Sequence, residues 1–466
     1  MQERVRKLNE APVRATGQFV LYWSQMNRRV ESNYALAYAV ELANGLKLPV
    51  LFYEGLTCSY PYANDRLHTF LLEGVPDTEA ALRKVGSGYA FHLRRKRSDP
   101  DNIVYQLAAE AAAVVTDDYP TFIARTHNAR VPAKLDLAYF VVDASCVVPM
   151  NRIEKREYAA YTIRPKIKRL LPEYLHPAPA LKVNRKFDRT LPSFHTQVER
   201  STIPHLVASC EIDHTIAPSL SFTGGSGAAQ VHLQYFLETK LRTYANSRNE
   251  PSAHATSGLS PYLHFGHISS LETALAAREY AHEHKLMADE FLEELIVRRE
   301  LAFNFARFTD EMNSLAALPS WAQATLAKHA ADRRDPAFTR EQMERAETYD
   351  DLWNATQREL LLRGKIHGYY RMYWGKKIVE WSATYQDAVD TMIYLHDRYS
   401  LDGRDPNTYT NILWCLGLHD RPFGERPIFG QVRFMSYDGM KRKTKIGAYI
   451  QEIADLQRTG RDPFRL

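Results

Sequence analysis

The first third of the chain places the strongest constraint on the fold. Five short runs rich in β-branched and aromatic residues stand out: QFVLYW (18–23), LPVLFYE (48–54), GYAFHLRR (88–95), AAVVTDD (112–118) and YFVVDAS (139–145). Between them, SNYALAYAVELANGL and DRLHTFLLEGVPDTEAALRKVG carry apolar residues at helical spacing. Runs that are apolar throughout, rather than at alternate positions, describe strands buried on both faces. Strand and helix in alternation predict an α/β domain with a doubly wound parallel sheet, Rossmann-like, whose ligands sit beyond the carboxyl ends of the strands. No GxGxxG or Walker A motif occurs there, which weighs against a dinucleotide or P-loop site.

At 466 residues the chain exceeds one ordinary core, so more than one domain is expected. Residues 1–150 hold the α/β pattern. Residues 151–227 include PKIKRLLPEYLHPAPALKVNRKFDRTLPSF, rich in proline and basic residues, and read as an interdomain linker. Its last residues, TGGSG (223–227), read as a flexible joint ahead of a helix rather than as a phosphate loop. From 228 to 466 the apolar spacing is helical, as in HLQYFLETKLRTYANSR and DEFLEELIVRRELAFNFARF, and predicts an all-α domain.

Hydrophobic residues at 45% and charged residues at 25% exclude wholesale disorder and a membrane bundle. The start, MQERVRKLNEAPVR, is charged and no run reaches membrane-spanning length, so a cytoplasmic protein without membrane contact is expected. Cys58, Cys146, Cys210 and Cys415 form no CxxC pair, so neither a metal nor a disulfide framework is expected. Nothing resembles a coiled coil, and a monomer is expected. The net charge of +5 is compatible with nucleic acid without requiring it. The tail VRFMSYDGMKRKTK interleaves Arg433, Lys441, Arg442, Lys443 and Lys445 with Phe434 and Tyr437, as a phosphate-contacting surface or a solvated basic face would.

Two features call for chemistry. IYLHDRYSLDGRDPNTYTNILW (393–414) crowds Asp, Arg, Asn and His among apolar positions, which suggests an ion-pair network or a cofactor lining. Trp353, Trp374 and Trp381 read as core packing or as an electron-hopping chain. Here LSPYLHFGHIS, EELIVRREL, LWNATQRELL, GKIHGYYRMYWGKKIVEW, DRYSLDGRDPN and RPIFGQVRFMSYDGMKRK resemble the motifs of class II cyclobutane pyrimidine dimer DNA photolyases, in the photolyase/cryptochrome superfamily. YWSQMNRRVESNYAL and EYAAYTIRPK extend the resemblance over nearly the whole chain.

The resemblance implies an α/β antenna domain followed by a helical domain that holds a U-shaped FAD. It also implies light-driven repair of UV-damaged DNA: reduced, anionic FAD, once excited, donates an electron to a flipped-out pyrimidine dimer and recovers it after the ring splits. A deazaflavin or folate antenna chromophore is a further implication, with no residues attached. Carried over position by position, Tyr244, Ser257, Gly258, Leu259 and Ser260 match the part holding the FAD diphosphate. Arg371, Asp402 and Gly403 match the isoalloxazine surroundings, with Arg371 and Asp402 as an ion pair. Glu294, Arg248, Asn249, Tyr369, Met372 and Trp414 match the lesion pocket, and Trp374, then Trp353, match electron donors, with Trp381 as a side branch.

Four positions depart from the family pattern. His396 stands where relatives have an Asn facing flavin N5; imidazole can change charge near neutrality and retune the flavin, or stay neutral and make the same hydrogen bond. Phe303 replaces an Asp, DASCVVPMN replaces DAHNVVP followed by Trp, and Phe338 stands near a redox Tyr of some relatives. Retention of Glu294, Arg248, Asn249 and Trp414 favours repair, whereas His396 favours a cryptochrome-like FAD light receptor without repair activity.

Overall fold

A computed structural model describes residues 1–466. Six strands form one sheet in the order β1-β6-β5-β2-β3-β4, where β1 is Val5–Lys7, β2 Phe19–Ser24, β3 Val50–Thr57, β4 Gly88–Arg94, β5 Ala111–Asp117 and β6 Ala138–Val142. The five strands expected from their apolar runs are parallel, with Val20 opposite Val50 and Tyr22 opposite Phe52 in the central pair. The edge strand β1 is antiparallel to β6, with Val5 opposite Val142. Its three residues VRK carry no strand signal; the ladder to β6 supplies what local propensity lacks.

Helices α1 (Tyr34–Leu46), α2 (Asp65–Val85), α3 (Ile103–Glu110) and α4 (Phe122–Arg130) connect the parallel strands. Asn33 caps α1 by accepting the backbone N–H of Ala35 and Leu36 at 3.0 and 3.1 Å. The crevice between β2 and β5, where such sheets usually bind ligands, is filled by the chain itself. There Asp117 accepts the backbone N–H groups of Gln25, Met26 and Asn27 at 2.9, 2.7 and 3.0 Å. Arg29, which is buried, donates across this end of the sheet to the carbonyls of Ala144 and Gly266.

The segment expected as a linker is helical in part and irregular over most of its length. Its prolines notwithstanding, Ala160–Tyr174 forms helix α5, because Ile163, Ile167, Leu170 and Tyr174 recur on one face and bury together. Pro165 and Pro172 fall on the solvent side of that helix. TGGSG is not a flexible joint. Gly224 lies so close to α2 that a Cβ there would sit 1.8 Å from the Phe70 carbonyl oxygen, and Gly225 has φ +104°. Their amides are held by Glu73 and His267.

The rest of the chain is helical, and one apolar core runs from the sheet through α2 and α5 to helices Ser226–Thr239 and Ser270–Glu283. A second core surrounds Trp353, Trp374 and Trp381. Arg66 of α2 ties the halves together, donating to the carbonyls of Leu360 and Tyr399 at 3.0 and 2.9 Å. All four cysteines are buried and unpaired, and no helix is long and apolar enough to cross a membrane.

Candidate active site

The π-helical turn Glu293–Arg298, helices Gly368–Trp381, Tyr385–Tyr399 and Pro406–Trp414, and residues of the segment 244–263 surround a cavity of about 420 Å³. Each helix start is fixed locally. His367 Nδ1 accepts the Tyr369 N–H at 3.2 Å, Thr384 caps Asp387, and Asp405 accepts the Asn407 N–H at 2.9 Å.

The charged stretch 393–414 divides in two. Asp402, Asp405, Asn407 and Asn411 face the cavity. Arg404 turns away to the Ser400 and Asp397 carbonyls, and Arg398 pairs with Asp213 at 2.8 Å, so these two are structural. Asp402 is the electrostatic centre. Arg371 Nη2 donates to its two oxygens at 2.9 and 3.0 Å, Ser260 and Ser400 donate at 2.6 Å each, and Lys365 Nζ lies 4.0 Å away. Burial opposes its ionisation, but Arg371, Lys365 and the two hydroxyls outweigh burial and hold the carboxyl well below the usual range. Gly403 does not line the cavity; a Cβ there would meet the His396 carbonyl oxygen at 2.5 Å, so glycine serves the close turn.

His396 is buried, with Nδ1 2.9 Å from the Met392 carbonyl. That contact requires Nδ1–H as donor and leaves Nε2 as an acceptor without a partner, on a ring that lines the cavity. Burial, seconded by Arg371, lowers its pKa to about 4, so it stays neutral at physiological pH and does not switch charge near neutrality. His367 Nε2 and Arg371 Nε are likewise buried without partners at the cavity wall. Unpaired polar atoms gathered around one cavity are the mark of a site shaped for a polar ligand.

Toward the mouth, Arg248 donates to Glu294 at 3.0 Å, and the Glu294 side chain is 46% exposed. The π-helical geometry sets Glu294 off the regular helix face, a distortion typical of functional sites. Trp414 lies under Arg298, whose guanidinium carbon is 5.9 Å from the ring centroid. Asn249, Tyr369 and Met372 complete this end, and Tyr244 lines the same cavity, its ring centroid 5.8 Å from the Arg248 guanidinium carbon. The basic tail runs alongside: Lys441, Arg442, Lys443 and Lys445 are exposed, and the Lys445 amide bonds Glu250 beside Arg248 and Asn249.

Behind the cavity the three tryptophans form a ladder. Trp374 meets His396 edge-on at 5.0 Å and stacks on Trp353, centroids 6.3 Å apart and planes 1° apart. Trp353, at the start of helix Asp351–Arg363, meets Trp381 at 5.3 Å. Trp381 therefore follows Trp353 in series, although Trp374 and Trp381 share a helix.

Ser257 and Gly258 line a second, smaller opening with Lys240, and Thr256, Lys365 and His367 border both spaces. The Leu259 side chain lines neither, being buried in the apolar core. Sequence reasoning missed Arg299, Lys365, His367, Asn407 and Asn411 as wall residues. The signal for the last two was present, since they are four apart on a helix that also carries Trp414. Phe303 and the altered segment around Cys146 turn out to be one packing unit, with Met150 and Tyr119, next to Arg299. Arg299 reaches the Ser145 carbonyl at 2.6 Å, so these departures act on the wall from behind.

The DNA photolyase family model matches residues 20–183. A deoxyribodipyrimidine photo-lyase of Methanothermobacter thermautotrophicus is 40% identical over 97% of this chain and 98% of its own. That of Oryza sativa is 38% identical over 94% and 88%. Among solved structures, a class III photolyase from Agrobacterium tumefaciens superposes with TM-score 0.71 at 18% identity, covering 96% of this chain and 92% of its own. A Synechocystis cryptochrome does so with TM-score 0.67 at 16% identity, covering 95% and 89%. The fold is thus common to repair enzymes and cryptochromes, while identity near 40% over the full length is specific: the chain belongs to the DNA photolyase family.

Proposed function

We infer that the protein is a deoxyribodipyrimidine photo-lyase, a light-driven DNA repair enzyme of class II that carries FAD. The observation that carries this reading is the cavity into which His367, Arg371 and His396 leave polar atoms unpaired, between a tryptophan ladder and a Glu294–Arg248 mouth.

Arg371, Asp402, Ser260, His396 and Tyr244 would hold the flavin, with Ser257, Gly258 and Lys365 toward the diphosphate. Bound there in its reduced form, FAD supplies the light absorption and the electron that splits the cyclobutane ring. Arg371 sets positive charge beside the cofactor, and Asp402 keeps that charge from being unpaired in a buried site. On binding the flipped-out dimer, Arg248 and Glu294 give up their mutual bond, and Arg248, together with Glu294 in its protonated form, donates to carbonyls that gain negative charge. Asn249, Tyr369, Met372 and Trp414 shape the pocket, and the basic tail meets DNA phosphates. Trp374, Trp353 and Trp381 relay electrons inward to restore the reduced cofactor. The resemblance further implies an antenna chromophore, deazaflavin or folate, to which no residues of this chain are assigned, and a monomer is the proposed state.

The test is repair of a thymine-dimer oligonucleotide by chemically reduced protein under blue light, beside a dark control and Glu294→Ala. Light-dependent repair that falls in the variant supports the reading. FAD binding and photoreduction without any repair would replace it with a cryptochrome-like light receptor.

A further inference from the structure

An indole that loses one electron becomes a cation whose Nε1 proton is acidic. None of the three ladder tryptophans has a base to receive that proton. Trp374 Nε1 donates to the amide oxygen of Gln357 and Trp353 Nε1 to the Trp374 carbonyl, both at 2.9 Å, and Trp381 Nε1 has no acceptor. All three side chains are 1% exposed or less. A hole resting on any of them stays a buried cation, which apolar surroundings disfavour. Lys377, paired with Glu380, adds a positive charge 5.5 Å from the Trp381 ring centroid.

Tyr349 differs in each respect. Its ring centroid is 5.6 Å from that of Trp381, closer than Trp353 is to Trp374, and it is 61% exposed. Phe338 packs against both rings, at 5.2 Å from Trp381 and 6.0 Å from Tyr349, and has no ionisable group. Tyr373, a phenol beside Lys377, is fully buried, and its hydroxyl donates a hydrogen bond to Asp350.

We propose that Tyr349 is the terminal electron donor of the ladder, the place where the hole reaches the surface and sheds its proton. This rests on the reading of the tryptophans as an electron relay to a photoexcited flavin. Tyr349 gives one electron to the oxidised Trp381, and its phenolic O–H bond releases the proton to water, leaving a neutral tyrosyl radical. The flavin is the oxidant and gains that electron by way of Trp353 and Trp374. A thiol in the medium then returns a hydrogen atom to the Tyr349 oxygen and is itself oxidised. Separation becomes long-lived because the return electron must now find a neutral radical at the surface rather than a cation in the core.

Flash excitation of the FAD-loaded protein, read by transient absorption and electron paramagnetic resonance, tests this. Tryptophanyl signals should give way to a tyrosyl signal, and spin trapping with mass spectrometry should place the adduct on Tyr349. Tyr349→Phe, a change at the surface, should abolish the tyrosyl signal, shorten the tryptophanyl lifetime severalfold and lower the yield of lasting photoreduction. Phe338→Tyr in that background should restore a tyrosyl signal, and Tyr373→Phe should leave the wild-type signal in place. A tyrosyl signal that persists in Tyr349→Phe, an adduct on Tyr373, or tryptophanyl radicals that decay without any tyrosyl successor would each overturn the assignment while leaving the relay intact. Absence of tryptophanyl radicals would overturn the relay itself, and Tyr349 with it.

Discussion

Asp402 is the residue on which the cavity electrostatics turn, and Asp402→Asn isolates its charge with little change in shape. The side chain is 7% exposed and faces two cations, Arg371 at 2.9 Å and Lys365 at 4.0 Å. At an effective dielectric of about 20, charges 4 Å apart attract by roughly 4 kcal/mol, and the Arg371 contact is closer still. Removing the carboxylate leaves both cations facing each other in a site that water barely enters, and truncating one side of a buried pair costs about 3–5 kcal/mol. Urea unfolding of the FAD-free protein, followed by tryptophan fluorescence, reports this region because Trp374 borders the same cavity. The pH dependence gives the sign. Asp402 has a lower pKa folded than unfolded, so its contribution is present above the unfolded value of about 3.9 and is lost as pH falls through the folded one. The gap between wild type and D402N should therefore narrow only below about pH 4. A cost under about 1 kcal/mol, the size of an exposed pair, would refute the account.

Further outcomes follow from other sites. With its pKa lowered to about 4, His396 is neutral when folded and protonates more readily when unfolded, so it carries no proton-linked cost above about pH 6.5 and destabilises the fold increasingly as pH falls toward 4. The flavin spectrum should accordingly show no step between about pH 6 and 8 that His396→Asn removes; finding one would mean that the imidazole titrates in place. Gly224→Ala should lower stability by more than about 3 kcal/mol, read from thermal melting, because the Phe70 carbonyl at 1.8 Å is backbone and cannot step aside. Phe303→Ala should cost about 3–5 kcal/mol, and a loss of under about 1 kcal/mol would mean that the Cys146–Met150 cluster collapses to fill the gap.

What local pattern can express was readable from the chain. The five parallel strands announced themselves because burial on both faces demands unbroken apolar runs, as in Val20 to Trp23 and Ala112 to Val115. Glu294, Arg248, Arg371, Asp402, His396 and Trp414 were named from motifs and do meet at one cavity. Where the reading erred, local composition competed with long-range packing. Proline marked residues 151–227 as linker, yet within it the apolar face of α5 made Ala160–Tyr174 helical; glycine marked TGGSG as mobile, yet α2 needs that glycine backbone against its own. Gly403 and Leu259 belonged to the right motifs but serve the turn and the core.

Composition, periodicity and motif thus determined the two-part architecture, the family and most residues of the cavity, because these depend on neighbours along the chain or on strings long enough to be specific. Three-dimensional packing decided the rest. His396 is neutral because burial and Arg371 lower its pKa, although its free side chain would titrate near neutrality. Trp353 stands between Trp374 and Trp381 because helices Asp351–Arg363 and Gly368–Trp381 pack side by side, and Tyr349 ends the ladder because the turn before the first helix comes to the surface there. Distance and desolvation govern charge state and electron transfer, and both are set by elements far apart in sequence.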